Sequence, residues 1–334
     1  DGQYTHIDPG RKCHFNPLQL DDTLSNRTFI TEWLSSLIME NDEMINAVEM
    51  EIVQRAIDGN FKLRKEDRVL RNIAPFFGME GPGTPASRLK QWHSDGRYAR
   101  IFDSVEDKVD FKTNTVFGFE MGTVLANKGC LVPVLLYLFH RIQMSLDGTP
   151  TVIILDEAWA LVDNKIFAGK IKDWLKTLRK LNGMVVFATQ SVEDAVNSDI
   201  SDTLIQQTAT QIFLPNPKAT DAYRKAFMLS EREFNLLKNT DPGTRYFLVK
   251  QGKDVVVARI DLSDGSLGLT DADHPRRVGG VVDDARLVGD IVYALRRCFD
   301  EDVAEQILFL RRRHATHLPV DRPVQWDDHL IADV

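Results

Sequence analysis

Long apolar runs are missing from this sequence. The longest is nine residues, Leu131 to Phe139, whereas a membrane-spanning helix needs about 20, so the chain is not expected to cross a bilayer. Cysteine is scarce. The three present, Cys13, Cys130 and Cys298, are far apart, odd in number and form no C-x-x-C pair. That argues against a disulfide framework or a cysteine-held zinc, and it suits a reducing cytosol. No low-complexity tract and no repeat of fixed period occurs. Positive charge is in deficit: 41 Lys and Arg against 49 Asp and Glu give a net charge of -8. A whole-surface attraction to nucleic acid is therefore not expected, because phosphate binding relies on cations that release counterions. The local clusters Arg296-Arg297 and Arg311-Arg312-Arg313 read as solvated helix faces.

What is present describes a globular α/β protein. The 334 residues are 43% hydrophobic and 27% charged, with length enough for one large or two ordinary domains. The sequence starts at Asp1 with no Met and no signal-peptide pattern, and is expected to be a segment of a longer protein. Residues 1–21 read as a strand, a Pro9-Gly10 turn and a loop, and begin an α/β core. Residues 22–110 lack strand alternation and read as an all-helical subdomain inserted into that core. Its first helix, capped by Asp22, carries Phe29, Ile30, Trp33, Leu34, Leu37 and Ile38 at helical spacing, and further helices are expected near 43–58, 66–76 and 85–93. Residues 111–264 return to alternating elements: strands at 115–120, 152–155, 184–188 and 211–214, helices at 131–146 and 164–182, and a hairpin about Gln251-Gly252-Lys253. Strands alternating with helices imply βαβ units and a parallel sheet. Residues 265–334 read as a C-terminal tail with helices near 283–298 and 300–313.

The most informative segment is Thr151-Val152-Ile153-Ile154-Leu155-Asp156-Glu157. Four apolar residues followed by Asp-Glu form a Walker B pattern. The short apolar run is a strand buried on both faces, and it delivers two carboxylates to the C-terminal edge of a parallel sheet, where open α/β folds bind ligands. In the nucleotide reading Asp156 holds Mg2+ through water, and Glu157 orients or deprotonates an attacking water. The alternative is a buried strand that ends in exposed acids. The next strand ends at Gln190, 34 residues after Asp156, a gap that fits one crossover helix and puts Gln190 on the same sheet edge. There it contacts the γ-phosphate or the attacking water, or else it caps the following helix.

The helix between these strands carries an apolar stripe of Phe167, Ile171, Trp174, Leu175, Leu178 and Leu181 and is ended by Gly183. Arg179 and Lys180 lie in its last turn, where cations complement the helix dipole. A crossover helix runs antiparallel to its strands, so this end is roughly 25 Å from the catalytic edge, at about 1.5 Å per residue. Arg179 is thus excluded from its own site and is a candidate arginine finger in a neighbouring copy. Arg245 is a second candidate.

Taken in order, VIILDEAW (152–159), LRKLNG (178–183), FATQS (187–191) and QIFLPNP (211–217) resemble the VirB4/TrbE family of type IV secretion and conjugation ATPases. FNPLQLDD (15–22) and FGFEMG (117–122) resemble segments of the same family, and the likeness runs from about residue 3 to about 260. It implies a RecA-like P-loop NTPase core with an all-helical subdomain. It also implies a hexameric or dimeric motor, peripheral at the cytoplasmic face of the bacterial inner membrane. ATP and Mg2+ would be its cofactors, other secretion subunits its partners, and transported protein or DNA its cargo. By position, Asp156 and Glu157 match the family's Walker B residues, Gln190 its post-strand glutamine, and Arg179 and Lys180 its basic pair; Lys180 and Arg245 enter as nucleotide-binding candidates. The sequence departs from the family pattern in having no G-x-x-x-x-G-K-[ST] loop at any glycine cluster. That loop supplies the backbone N–H cradle and lysine that hold a triphosphate. The family places it upstream, so this chain alone is expected to be inactive. Two other readings stand beside this one: a DNA-translocating coupling protein of the VirD4/FtsK type, and a non-catalytic docking fragment.

Overall fold

The computed structural model describes residues 2–40, 43–112, 116–156, 165–189, 205, 208–244, 246–259 and 306–311. The chain divides into two compact units: Asp1–Leu204 with Val303–Arg313, and Ile205–Asp302 with His314–Val334.

The first unit begins with strand β1 (Gly2–His6). A helical region follows: α1 (Leu24–Ile38), α2 (Ala47–Lys62), and the short α3 (Leu70–Ile73), α4 (Pro85–Leu89) and α5 (Ala99–Phe102). All six apolar positions read from the α1 sequence are buried. Its cap is Thr23, whose side chain accepts from the Asn26 N–H. The expected cap, Asp22, instead pairs with Arg27. Pairing the guanidinium is compatible with standing one residue outside the helix, while only the residue at the cap itself can reach the free N–H groups. A ring cluster binds this region to the rest of the unit. Trp33 meets Phe102 edge-on at 5.1 Å, and Phe15, in the loop after β1, lies 4.7 Å from Tyr137.

The chain then builds a sheet through β2 (Val116–Glu120), α6 (Gly122–Leu125), α7 (Lys128–Ser145), β3 (Thr151–Leu155), α8 (Lys165–Leu178) and β4 (Gly183–Phe187). β1 pairs parallel with β2, and β3 pairs parallel with β4. Helix α7 is apolar almost all round, and its Leu131 to Phe139 run is buried, which is why nine apolar residues in a row mark a core helix here. Helix α8 ends in a 3-10 turn at Arg179–Leu181. The left-handed residue after it is Asn182 (φ 57°), a position asparagine tolerates. Gly183, expected as the stop, is already the first residue of β4.

The second unit holds β5 (Thr210–Phe213), α9 (Asp221–Ala226), α10 (Glu231–Asn239), β6 (Tyr246–Gln251) and β7 (Asp254–Arg259). The hairpin expected about Gly252 is β6–β7, with Gly252 at φ 61°, a conformation glycine adopts at no steric cost. The strand expected at 211–214 as a member of the parallel sheet is β5 of a separate antiparallel sheet, ordered β5-β6-β7. An apolar run shows that a strand is buried but carries no information about its partner.

A second correction concerns the C-terminal segment. The helix expected over 300–313 is replaced at Gln306–Arg311 by strand β8, which lies antiparallel between β2 and β3. The five-stranded order is β1-β2-β8-β3-β4. Gln306 to Arg311 (QILFLR) is a short apolar run, which periodicity alone does not assign to helix or strand. The helix expected at 283–298 lies outside the described residues.

Candidate active site at the C-terminal sheet edge

The four parallel strands all end on one edge. Ile153, Ile154 and Leu155 of β3 are buried, so the strand is anchored and the residue after it is placed by the core. That residue is Asp156, half-buried in a turn. The β3–β4 ladder pairs Leu155 with Phe187 and continues through Ala188 N–H to the Leu155 carbonyl at 2.9 Å. β3 and β4 are therefore immediate neighbours, and Thr189, which leads into Gln190, leaves the sheet at the edge where Asp156 stands. Glu157 and Gln190 themselves lie outside the described residues, as does Arg245.

Sequence reading passed over a second carboxylate on this edge. Glu120 ends β2 and is 7% exposed. Its Oε2 accepts from the Tyr4 hydroxyl at 3.0 Å and its Oε1 from the Gly122 N–H at 2.9 Å. Burial, and then the carboxylate, push the Tyr4 hydroxyl up to about 12. The signal was present in the apolar run Val116 to Phe119 that ends in an acid, as β3 does. The shared position is the strand end. The partners differ, because Glu120 is spent on holding β1, β2 and the start of α6 together.

Arg179 and Lys180 sit at the other end of the sheet. Thr151, the first residue of β3, pairs with Gly183 and donates to the Asn182 carbonyl. The basic pair is thus at the N-terminal edge, about 17 Å from Asp156 for five residues of strand. The Lys180 side chain is exposed, and that of Arg179 is outside the described residues. Within one chain neither is brought to Asp156.

The donor chemistry at Asp156 suits a hard divalent cation, which takes carboxylate oxygen and keeps several waters. Among the described residues no group of three or more His, Cys, Asp or Glu converges on one point. A cavity of about 20 Å3 lies in the second unit, lined by Phe213, Leu237, Phe247 and Val257 among others. It has room for about one water and is no ligand site.

A family model described as the TraG P-loop domain matches residues 86–262, more than half of the chain. The chain belongs to the TraG P-loop domain family. Among curated proteins it is similar to the type IV secretion system protein virB4 of Bartonella henselae, 34% identical over 264 residues, covering 78% of this chain and 34% of that protein. The type IV secretion system protein PtlC of Bordetella pertussis is 33% identical over 274 residues, covering 79% and 33%. The chain thus spans about a third of the length of the curated relatives it matches. Among solved structures, VirB4 of Thermoanaerobacter pseudethanolicus superposes with a TM-score of 0.59 at 17% identity, covering 77% of this chain and 76% of that one; this is a likeness of fold. The VirB4-type resemblance and the RecA-like P-loop fold expected from the motifs are both borne out. P-loop families use nucleotide with magnesium, and that is the coarse chemistry this membership carries. Among the described residues no helix is long and apolar enough to cross a membrane.

Proposed function

We propose that this chain is the metal-binding and water-handling part of an ATPase motor in a type IV secretion system, where ATP hydrolysis energises pilus assembly and translocation of protein or DNA across the bacterial envelope. The observation that carries the reading is the placement of Asp156. It follows a buried parallel strand whose immediate neighbour runs on to Gln190, in a chain of a P-loop family. Asp156 would hold Mg2+ through water. Glu157 polarises the attacking water, and Gln190 contacts that water or the γ-phosphate. Arg179 acts across an interface on the nucleotide of a second copy, with Lys180 and Arg245 as further phosphate contacts. The far-edge position of the basic pair supports a trans role, because a ring or a dimer brings one copy's N-terminal edge to another's C-terminal edge. Partners are further copies, other secretion subunits of the inner-membrane complex and the cargo, and the location is the cytoplasmic face of the inner membrane.

The test uses the parent protein with its P-loop. Glu157→Gln removes the base and keeps the size, so turnover falls by about 100-fold or more while nucleotide still binds. Undiminished turnover would take Glu157 out of the mechanism. Mixing Arg179→Ala subunits with Glu157→Gln subunits restores part of the activity through hybrid interfaces; no recovery at any ratio refutes the trans finger. The present chain, which contains no G-x-x-x-x-G-K-[ST], is expected to turn over no ATP by itself.

A further inference from the structure

The chain crosses twice between the sheet and the helical region, outward after β1 over residues 7–23 and back over 103–112 toward β2. Phe15-Asn16-Pro17-Leu18-Gln19 lies in the outward crossing, and none of its residues enters the proposed chemistry. Asn16 is fully buried. Its Oδ1 accepts from the Leu18 N–H at 3.1 Å, and its amide donates to two carbonyls, Arg68 at 2.8 Å and Ser104 at 2.6 Å. Gln19 repeats the arrangement. Its amide donates to the carbonyls of Lys65, at 3.1 Å, and Val105, and its Oε1 accepts from the Asp107 N–H at 3.3 Å. Each side chain thus ties the stretch after α2 to the return crossing. Backbone bonds run alongside: the Phe15 N–H donates to the Ile101 carbonyl at 3.3 Å, and the Lys108 N–H to the His14 carbonyl at 3.0 Å. The Tyr137 hydroxyl of α7 donates to Asp107 Oδ1 at 2.6 Å, which fixes the return crossing to the helix between β2 and β3.

A region hung on two free linkers hinges, because a few loop residues absorb the rotation. Here the residues that would have to turn, 16–19 and 104–108, are bonded to one another. A carboxamide suits this task. It offers two N–H donors and an acceptor, where a carboxylate has no donor and a hydroxyl only one. Opening would leave the buried Asn16 amide without acceptors, and an unmade buried bond costs more than a made one contributes. The helical region and the sheet accordingly fall in one compact unit. We propose that Asn16 and Gln19 form a lock that shuts both crossings together, so that the helical region and the sheet move as one body and part only when both amides release. The lock involves no nucleotide and stands whether or not the chain is part of an ATPase.

Hydrogen exchange of the whole 334-residue chain, read by mass spectrometry, tests it. Asn16→Asp keeps the size and the acceptor for the Leu18 N–H, and it removes both donors. Gln19→Glu does the same at a half-buried position, so it carries the test if Asn16→Asp does not fold. Either variant speeds exchange about 10-fold or more over residues 64–69 and 103–109, by the same factor at both. In Asn16→Asp the amides of Asp107 and Lys108 speed up as well, although their acceptors, Gln19 Oε1 and the His14 carbonyl, are untouched. Exchange in β3 stays as it was. Gln54→Glu, which removes the amide that donates to Thr31 Oγ1 at 3.2 Å within the helical region, leaves both crossings unchanged. Acceleration at one crossing alone, at neither, or at β3 to the same extent overturns the proposal. So does an equal effect from Gln54→Glu.

Discussion

On α7 the imidazole of His140 lies flat on the ring of Phe29, with centroids 3.8 Å apart and planes within 6°. Its Nε2 is 3.1 Å from Asn26 Oδ1. Asn26 spends its amide N–H on the Asp21 carbonyl, so its oxygen accepts and Nε2 carries the imidazole proton. Burial, with Arg141 and Lys170 nearby, lowers the His140 pKa from 6.5 to about 4. As pH falls from 6.5 to about 4, the unfolded chain takes up a proton that the folded chain refuses. Stability is therefore lost through that window, and the loss is complete below it, at about 3 kcal/mol. His140→Gln should flatten this part of the profile when urea unfolding is compared at several pH values, and an equal loss in the variant would show that other groups cause it. None of this was legible from a lone His in an apolar helix. Asp156 was legible, because four apolar residues before an acid state both the strand and its end. Glu120 shows the same pattern, and its use in holding β1 to β2 depends on Tyr4, 116 residues away.

Elements with their own local signals were the ones read well. The stripe of α8, the buried run of β3 and the glycine turn of β6–β7 are each set by residues within a few positions of one another. Partnership is not set that way. β5 and β8 are apolar strands like β3, and only the ladder assigns one to a separate antiparallel sheet and the other to a central position between β2 and β3. Helix starts fall between these cases. At α2 the Asn46 side chain accepts from the Glu49 N–H and the Glu49 carboxylate accepts from the Asn46 N–H, a reciprocal cap written in four residues. Glu49 also pairs with Arg88 on α4, so the same carboxylate ties two helices. Asn46→Ala removes the cap alone and should cost about 1 kcal/mol in denaturant unfolding. Glu49→Ala keeps the backbone N–H that Asn46 caps but removes the carboxylate half of the cap and the Arg88 pair, and it leaves a largely buried guanidinium unpaired, so it should cost distinctly more. Equal costs would mean that the Arg88 pair contributes nothing.

Across the whole chain, two separate cores follow from the packing. Among the described residues, the main cluster of buried apolar side chains runs from Ile7 to Leu178 and takes none from the second unit. The second unit keeps its own, in which Phe213 stands edge-on to Phe227 at 5.3 Å and lies 6.1 Å from Tyr223. The Asp156 edge and Glu120 both belong to the first unit, so this edge of the sheet rests on one core. Units with separate cores need not unfold together. Calorimetry of the whole chain should then resolve two transitions. Phe213→Leu, which deletes the ring pairing at about 1 kcal/mol, should lower one of them by about 4–8 °C and leave the other in place. The His140 window between pH 6.5 and about 4 should act on the transition that Phe213→Leu spares. A single transition moved by both changes would mean that the two cores unfold as one, and mutations in the second unit would then reach the Asp156 edge through stability alone.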